Sequence, residues 1–536
     1  MRKSSCKRCG TVYRAAWEDR QIFRCRNAKG SCQMNTVQTD PRDAFFDVSA
    51  LKAGMESRAG RASILVLAMA GLKLVLHLGS TIVLARLIPP EEFGIASLAM
   101  PIAVIAMNLS QFGLAQPIVQ MPTVTHRLVS TLFWVNLLLG ALFGGALVAG
   151  SGAAARFYGV PEVGPVFAVL GLSVVMTAIL TQYIAILRRK MHIRLLEYGA
   201  LAAFALSVAA AVVAAFLGAS YWAVILQQVL QGVLTVAIFA FHTPWLPSRP
   251  RLRDLREARS ALSFGGNVAL SNLLEQASHA LPVILIGRLY SPLEAGLYQR
   301  SSTLARLLPT RAVSPLASVF VSSLSRVQDD PAAFRSLFLR MMTRLNMIMM
   351  PIGVLAFTCA DIVVPVVLGQ DWAASAPILA WLCLMLLQNT LDQGVNWALI
   401  ASGASRSLTA ISALSLVIVC VAMYAIGNGG DIVLIAMVLM LSNTFVRQPV
   451  LAWLGITHTH LDLETVIRGY LLDLGLAVVA IVLVTAVRGS IVGGGDFVEL
   501  AASIAIVVLL FAARVMANAE LRADVLKLVF ITAARR

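Results

Sequence analysis

The chain has 536 residues, of which 58% are hydrophobic and 13% charged, and its mean hydropathy is +0.80. Soluble domains are about 45–50% apolar and about 25% charged, so this composition excludes a soluble enzyme and predicts an all-α protein that crosses a membrane many times. The formal net charge is +16, but the cations are concentrated in short loops and in two tails, which is typical of the cytoplasmic side of a membrane protein rather than of nucleic-acid binding.

Residues 1–60 form a polar, basic N-terminal tail without the apolar core of a signal peptide. Its four cysteines, Cys6, Cys9, Cys25 and Cys32, follow the pattern C-x2-C and then C-x6-C. Four thiolates can hold a structural zinc ion, and no other cofactor is expected. The competing interpretation is that translation begins at Met34 or Met55. Residues 42–54 are predicted to lie along the membrane surface.

Fourteen segments contain enough apolar residues to cross a bilayer, which takes about 20 residues in a helix. The predicted spans are residues 62–86, 94–119, 129–150, 162–187, 198–218, 220–241, 261–288, 295–321, 338–359, 373–400, 407–426, 431–455, 468–487 and 497–516. The loops after spans 4, 6 and 8 are rich in arginine. Basic loops stay in the cytoplasm, so both termini, including a basic tail at residues 517–536, are predicted to be cytoplasmic.

A sequence repeat divides the spans into two sets. Arg86–Gly94 reads R-L-I-P-P-E-E-F-G and Arg288–Gly296 reads R-L-Y-S-P-L-E-A-G, an offset of 288 − 86 = 202 residues. Each copy follows the first span of a block of six, which predicts two parallel six-helix lobes, 61–260 and 261–464, related by a pseudo-two-fold axis along the membrane normal. Two further helices lie in 465–516. The local motif itself is typical of a structural turn.

Ionisable residues occur at equivalent places in the first helix of each predicted lobe. Lys73 and His77 are four residues apart and therefore share a helix face, and the 202-residue offset relates them to Glu275 and His279. A charge inside the membrane costs about 2.5–3.5 kcal/mol on insertion scales and is therefore a functional candidate. A Lys73–Glu275 ion pair across the lobe interface is predicted. A purely structural role is the alternative.

Span 8 carries three arginines, Arg300, Arg306 and Arg311. A guanidinium group matches the oxygens of a phosphate, so these arginines and Lys73 are the candidates for binding an anionic substrate in a water-filled cavity. Snorkelling and interhelical salt bridges are the alternatives. Glu275, His279, His77 and Asp392 are candidates for coupling transport to an ion gradient. The other polar residues of spans 10 and 12 are expected to form interhelical hydrogen bonds.

Four segments of the first lobe carry a family resemblance: Leu84–Gly94, Phe112–Gln120, Ser130–Asn136 and Phe157–Glu162. With them the chain resembles the polysaccharide-transport branch of the multidrug/oligosaccharidyl-lipid/polysaccharide exporter superfamily. The chain departs from the family at residues 280–282, Ala-Leu-Pro, where an acidic residue is common. The resemblance implies a flippase for undecaprenyl-pyrophosphate-linked oligosaccharide units, acting by alternating access in the bacterial inner membrane for exopolysaccharide, capsule or O-antigen (lipopolysaccharide) assembly.

The expected partners are this substrate, membrane lipids and the polysaccharide polymerase or export machinery, and no nucleic acid is expected. A drug or metabolite antiporter of the same superfamily and a lipid II flippase are the alternatives. A polysaccharide polymerase or ligase is disfavoured, because no predicted external loop is large enough for acceptor chemistry. The sequence therefore predicts a carrier and not an enzyme.

Overall fold

The computed structural model describes residues 41–46, 55–121, 123–250, 259–313, 316–427, 429–490, 495–518 and 521–523. These residues form helices joined by turns and short loops, and no strand occurs among them. The all-α prediction is thereby confirmed. The four N-terminal cysteines and the basic C-terminal tail after residue 523 lie outside the described residues.

The first predicted lobe, residues 61–260, contains six long helices, and the names first lobe and second lobe are kept below for the two predicted units. They are α1 (Met55–Leu87), α2 (Pro90–Gln111), α3 (His126–Ala149), α4 (Val163–Arg189), α5 (Ile193–Phe216) and α6 (Trp222–His242). The second predicted span is broken, because Phe112 and Gly113 adopt left-handed backbone conformations (φ 44° and 64°). A short helix, Ala115–Gln120, follows that break.

Besides the short helices Ala317–Arg326, Ala360–Leu368 and Ala376–Cys383, the described residues after 258 form eight longer helical stretches. They are α7 (Arg259–Leu289), α8 (Pro292–Leu308), α9 (Pro331–Thr358), α10 (Met385–Ala401), α11 (Ser405–Ile426), α12 (Ile432–His458), α13 (Leu463–Ser490) and α14 (Asp496–Ala517). Two of these helices, α8 and α9, have an N-cap side chain that accepts a hydrogen bond from the first turn. Ser291 accepts a hydrogen bond from the Glu294 backbone N–H (3.3 Å), and Asp330 accepts one from that of Ala332 (3.0 Å).

Twelve helical stretches of the described residues are long and apolar enough to cross a membrane. The two most polar predicted spans, now α7 and α8, are not among them. Both nevertheless pack against α2 at the contact between the lobes. The full number of fourteen spans therefore stays a prediction, with α7 and α8 as internal, polar members of the bundle.

The two ends of the bundle differ in composition. We call the end that carries the loops at 86–94 and 288–296 the repeat end, and the opposite end, with Arg188, Arg189 and Lys190, the basic end. The charge distribution predicts that the basic end faces the cytoplasm.

Ionic contacts join α13 and α14 to the second lobe. Asp473 on α13 is 2% exposed; it accepts hydrogen bonds from Arg514 Nε of α14 (3.0 Å) and from Asn346 Nδ2 of α9 (2.9 Å). Towards the repeat end, Arg488 pairs with Asp361 (2.7 Å) and with Glu499 (3.1 Å). A buried ion pair holds its helices in one register because separating it strands a charge.

The segment Pro41–Phe46 packs on helices of the first lobe at the basic end, and the predicted position of residues 42–54 along the membrane surface stays a prediction. Phe46 is 1% exposed within an apolar cluster. Its carbonyl accepts a hydrogen bond from Arg189 Nε (3.3 Å), while Asp43 accepts one from the backbone N–H of His126 (2.7 Å). Burial of the ring and satisfaction of the backbone together favour protein over lipid. Residues 47–54 lie outside the described residues.

Candidate functional site: ionisable residues between the lobes

Lys73 on α1 forms its ion pair within the first lobe. Its Nζ lies 2.7 Å from Glu197 Oε2 on α5, and both side chains are about one-fifth exposed (23% and 20%). The predicted Lys73–Glu275 pair is therefore wrong, because α1 packs on α5 and supplies a carboxylate without crossing the lobe interface. One turn further along α1, the His77 ring stacks on Phe204 (centroids 5.5 Å apart, 24° between planes).

The equivalent residues of the second lobe are in a different environment. Glu275 and His279 on α7 and Arg306 on α8 all have exposed side chains. Arg306 lies within electrostatic range of both Glu275 and His279, and His279 is also within range of Arg447. Among the described residues, none of these three side chains forms a hydrogen bond or an ion pair. Because unpaired charges are rare against lipid tails and usually face a water-filled cavity, they indicate a hydrated cavity beside α7 and α8.

The helix changes its winding just after Arg306. Residues Pro309–Val313 are π-helical and contact α1 of the first lobe. Single π-helical turns within α-helices are frequent at functional sites. Arg311 lies in this turn, but its side chain is outside the described part of the structure, so its predicted role in binding stays a prediction.

A second polar cluster joins α10 and α12, where α12 also contains a π-helical turn, Asn443–Arg447. Arg447 Nη1 lies 2.6 Å from Asp392 Oδ1, and Gln448 Nε2 donates to the same oxygen (3.0 Å). Gln388 bonds to the side chains of Asn443 and Thr444. These contacts confirm the expected interhelical hydrogen bonds. Sequence reasoning missed the Asp392–Arg447 pair. Opposite charges in two otherwise apolar spans are the signal that could have suggested it, because charges within a membrane usually pair with one another. The coupling role of Asp392 stays a prediction.

Arg300 is buried, in contrast to Arg306 on the same helix. It is 6% exposed, and its Cζ lies 4.1 Å from the centroid of the Phe93 ring and 5.5 Å from that of Trp372. Its Nη2 donates to the Thr81 carbonyl of α1 (3.4 Å). Two aromatic faces thus replace water around the guanidinium group, and in this conformation Arg300 does not face an open cavity as the sequence predicts.

Comparison with known proteins identifies the family. A family model described as polysaccharide biosynthesis protein matches residues 83–377, which is more than half of the chain. The chain belongs to this polysaccharide biosynthesis family. The resemblance predicted from the sequence is thereby confirmed.

Curated relatives of this family member are distant. The lipopolysaccharide biosynthesis protein WzxC of Escherichia coli (strain K12) is 24% identical over 327 residues, which cover 60% of this chain and 65% of WzxC. The teichuronic acid biosynthesis protein TuaB of Bacillus subtilis (strain 168) is 22% identical over 385 residues, covering 70% and 79%. The succinoglycan biosynthesis transport protein ExoT of Rhizobium meliloti (strain 1021) is 22% identical, covering 56% and 61%. The matches to WzxC and ExoT span less than two thirds of those proteins.

Two solved structures show that the fold is shared beyond the family. The lipid II flippase MurJ in an inward closed conformation superposes with a TM-score of 0.67 at 10% identity, covering 84% of this chain and 97% of MurJ. An inward-facing multidrug resistance MATE family transporter of the MOP superfamily gives 0.52 at 14% identity, covering 78% and 98%. At such low identity the likeness concerns the fold alone.

Proposed function

We propose that the protein is a flippase that carries undecaprenyl-pyrophosphate-linked oligosaccharide units across the membrane for polysaccharide assembly, without enzymatic chemistry. The observation that carries this proposal is the exposed guanidinium group of Arg306 on the polar helix α8, which forms no ion pair within the described residues. The names of the relatives, which concern lipopolysaccharide, teichuronic acid and succinoglycan, support a polysaccharide precursor as the cargo.

The surroundings of Arg306 suit a phosphate group that has to be bound and then released. A guanidinium group binds phosphate oxygens through two parallel hydrogen bonds. Glu275 lies within electrostatic range of the same guanidinium group. A neighbouring carboxylate competes with phosphate for the cation, so protonation of Glu275 or of His279 would change the affinity for the cargo. Glu275 and His279 are therefore our candidates for coupling, with His77 and Asp392 as further ones.

Lys73 is the second candidate cation for the cargo, but it differs from Arg306. Its ammonium group is already held by Glu197 at 2.7 Å. A bound phosphate would have to compete with that carboxylate. We therefore propose that Arg306 makes the main contact and that Lys73 binds phosphate only in exchange for its pair with Glu197.

Deletion of the gene, followed by analysis of lipid-linked intermediates and surface polysaccharide, tests the proposal. Loss of surface polymer together with accumulation of an undecaprenyl-linked oligosaccharide is the expected result, and the trapped lipid would name the sugars. Accumulation of lipid II would instead identify a lipid II flippase. Normal polysaccharide with altered sensitivity to small toxic compounds would overturn the proposal in favour of an antiporter.

For location, we propose the bacterial inner membrane with both termini in the cytoplasm. The basic loops beside α4 and α6 support this orientation. Reporter domains fused after residue 250 and within the loop at 288–296 are expected to read as cytoplasmic and external, respectively. The opposite pattern would reverse the orientation. We further propose that a polysaccharide polymerase or export complex receives the cargo, which co-purification with this chain as bait tests.

For the N-terminal tail, we propose a structural zinc site formed by Cys6, Cys9, Cys25 and Cys32. The support is the sequence pattern alone. Metal analysis of the purified chain is expected to give one zinc ion, lost on Cys6→Ser together with Cys9→Ser. A protein whose first residue is Met34 or Met55 by mass spectrometry would overturn the site.

A further inference from the structure

The two copies of the sequence repeat touch each other at the repeat end of the bundle. A Cβ atom added to Gly94 would lie 1.9 Å from the Pro292 carbonyl oxygen, and one added to Gly296 would lie 2.7 Å from the Pro90 carbonyl oxygen and 3.0 Å from the Cα of Gly94. The first turns of α2 and α8 thus meet backbone to backbone, at a separation that only glycine permits.

The arginines at the start of each copy cross to the opposite lobe. Arg86 of the first lobe donates from Nη2 to the Val366 carbonyl (2.5 Å) in the short helix Ala360–Leu368 of the second lobe. Arg288 of the second lobe has its Cζ 5.7 Å from the centroid of the Phe157 ring, in the short helix Ser151–Tyr158 of the first lobe. Each short helix directly follows the third long helix of its predicted lobe, so the two contacts lie at equivalent positions of the two lobes.

Arg300 and Trp372 of the second lobe complete this contact. Trp372 is fully buried, and its Nε1 donates to the Ala85 carbonyl of α1 (2.8 Å). Its ring packs edge-on against Phe93 of the first lobe (centroids 5.6 Å apart, 75° between planes). The Arg300 guanidinium group lies over both rings.

We propose that the two repeat copies, together with Arg300 and Trp372, form a reversible gate that closes the repeat end between the lobes. The proposal rests on the alternating-access function proposed above, because the cargo must leave through the end opposite to the one it enters. Arg300 is thereby a gating residue that joins the lobes, whereas Arg306, six residues further along α8, is the cargo-binding cation.

The contacts of Arg300 are suited to a gate that opens repeatedly. Its Nε has no hydrogen-bond partner within the described residues, and its one hydrogen bond is long (3.4 Å). An unsatisfied buried donor destabilises the closed state by part of what the aromatic contacts contribute. The closed and open states therefore differ by a modest free energy, which bound cargo can overcome.

Cysteine labelling in intact cells tests the gate without requiring transport. The seven native cysteines are replaced by alanine, Thr81→Cys is introduced as a reporter inside the gate, and a membrane-impermeant maleimide is added from outside. Arg300→Met is expected to raise the labelling rate about tenfold, the change that loss of a desolvated cation–π contact produces. Arg468→Met is the matched control, because Arg468 is exposed, pairs with Glu464 on its own helix (2.7 Å) and belongs neither to the gate nor to the cargo site, and it should leave the labelling rate unchanged.

Two further variants change other contacts of the gate. Trp372→Phe keeps the aromatic packing but removes the hydrogen bond to Ala85, and a smaller increase, about threefold, is expected from losing one net hydrogen bond. Gly94→Ala separates α2 from α8 and should also increase labelling. Only variants whose thermal unfolding temperature in detergent equals that of the parent protein are compared.

An unchanged labelling rate in well-folded Arg300→Met and Gly94→Ala would overturn the gate. The outcome is separable from the proposed function. If labelling increases but the deletion strain makes normal polysaccharide, the gate is supported and the proposed cargo is wrong. If labelling is unchanged but the deletion strain accumulates lipid-linked oligosaccharide, the flippase is supported and the gate is wrong.

Discussion

The first helices of the two lobes, α1 and α7, carry ionisable residues at equivalent positions in opposite environments. On α1, Lys73 is neutralised by Glu197 and His77 is stacked on Phe204. On α7, Glu275 and His279 are exposed and lie in the field of Arg306. The repeat thus conserves the backbone arrangement, while the charge that can respond to cargo is concentrated in the second lobe.

Loss of the exposed cation should have the largest effect. We expect Arg306→Met to lower the rate of polysaccharide export about ten- to a hundredfold, because a hydrogen bond to a charged group contributes about 1.5–3 kcal/mol. Arg306→Lys, which keeps the charge but not the planar fork, should recover part of that rate. Surface polymer measured at equal protein level checks this. Normal export in Arg306→Met would transfer the binding role to Lys73 or Arg311.

Disruption of the Lys73–Glu197 pair should lower the stability of the protein. Glu197→Ala strands the ammonium group of Lys73, and we expect a loss of about 1–3 kcal/mol, below the 3–5 kcal/mol of a fully buried pair because both side chains keep some solvent contact. Thermal unfolding in detergent measures it, and the double variant Lys73→Met with Glu197→Leu should restore stability. Glu275→Gln strands no partner and is the matched control. A large loss of stability in Glu275→Gln would show that the two helices do not differ in this way.

Asp392 and Arg447 of the second lobe form a direct ion pair, as Lys73 and Glu197 do in the first lobe. A double-mutant cycle with Asp392→Asn and Arg447→Met should give a coupling energy of about 1–2 kcal/mol, since the two side chains are in direct contact. If Asp392 also couples transport, export in Asp392→Asn should no longer depend on the proton or sodium gradient. Export that ignores both gradients in the parent protein would discard the coupling roles of Asp392, Glu275, His279 and His77.

A surface pair at the basic end gives the smallest expected effect. Hydrogen bonds from Thr465 and the charge of Arg335 hold the pKa of Asp462 below its usual value, so Asp462 stabilises the fold above the ordinary pKa of aspartate and loses this contribution as the pH falls through its lowered pKa. Asp462→Asn keeps a good helix cap and should cost less than about 1 kcal/mol at pH 7. The acid side of the stability curve should flatten. If the stability of Asp462→Asn at acidic pH varies with pH as that of the parent protein does, the contacts of Asp462 do not contribute to stability.

The sequence predicted the helices well and their contacts poorly. Apolar runs separated by charge locate every long helix of the described residues, and the copies at 86 and 288, predicted to be equivalent turns, touch each other in the structure. The partner of Lys73 was missed because helix rotation, which decides between Glu197 and Glu275, depends on packing that hydrophobic periodicity does not encode. The sequence predicts a hydrated Arg300 because its aromatic neighbours, Phe93 and Trp372, are distant in the chain and meet it only through tertiary packing.

The contacts of Asp473 with Arg514 and Asn346 have a mechanical consequence. Because they fasten α13 and α14 to α9, the second lobe would move with two helices more than the first in the proposed alternating-access cycle. A rocking step therefore displaces lipid unequally on the two sides of the protein. The rate of the cycle should depend on the lateral pressure of the bilayer, and a fluorophore at Leu509, which is 70% exposed on α14, would report the motion of the second lobe.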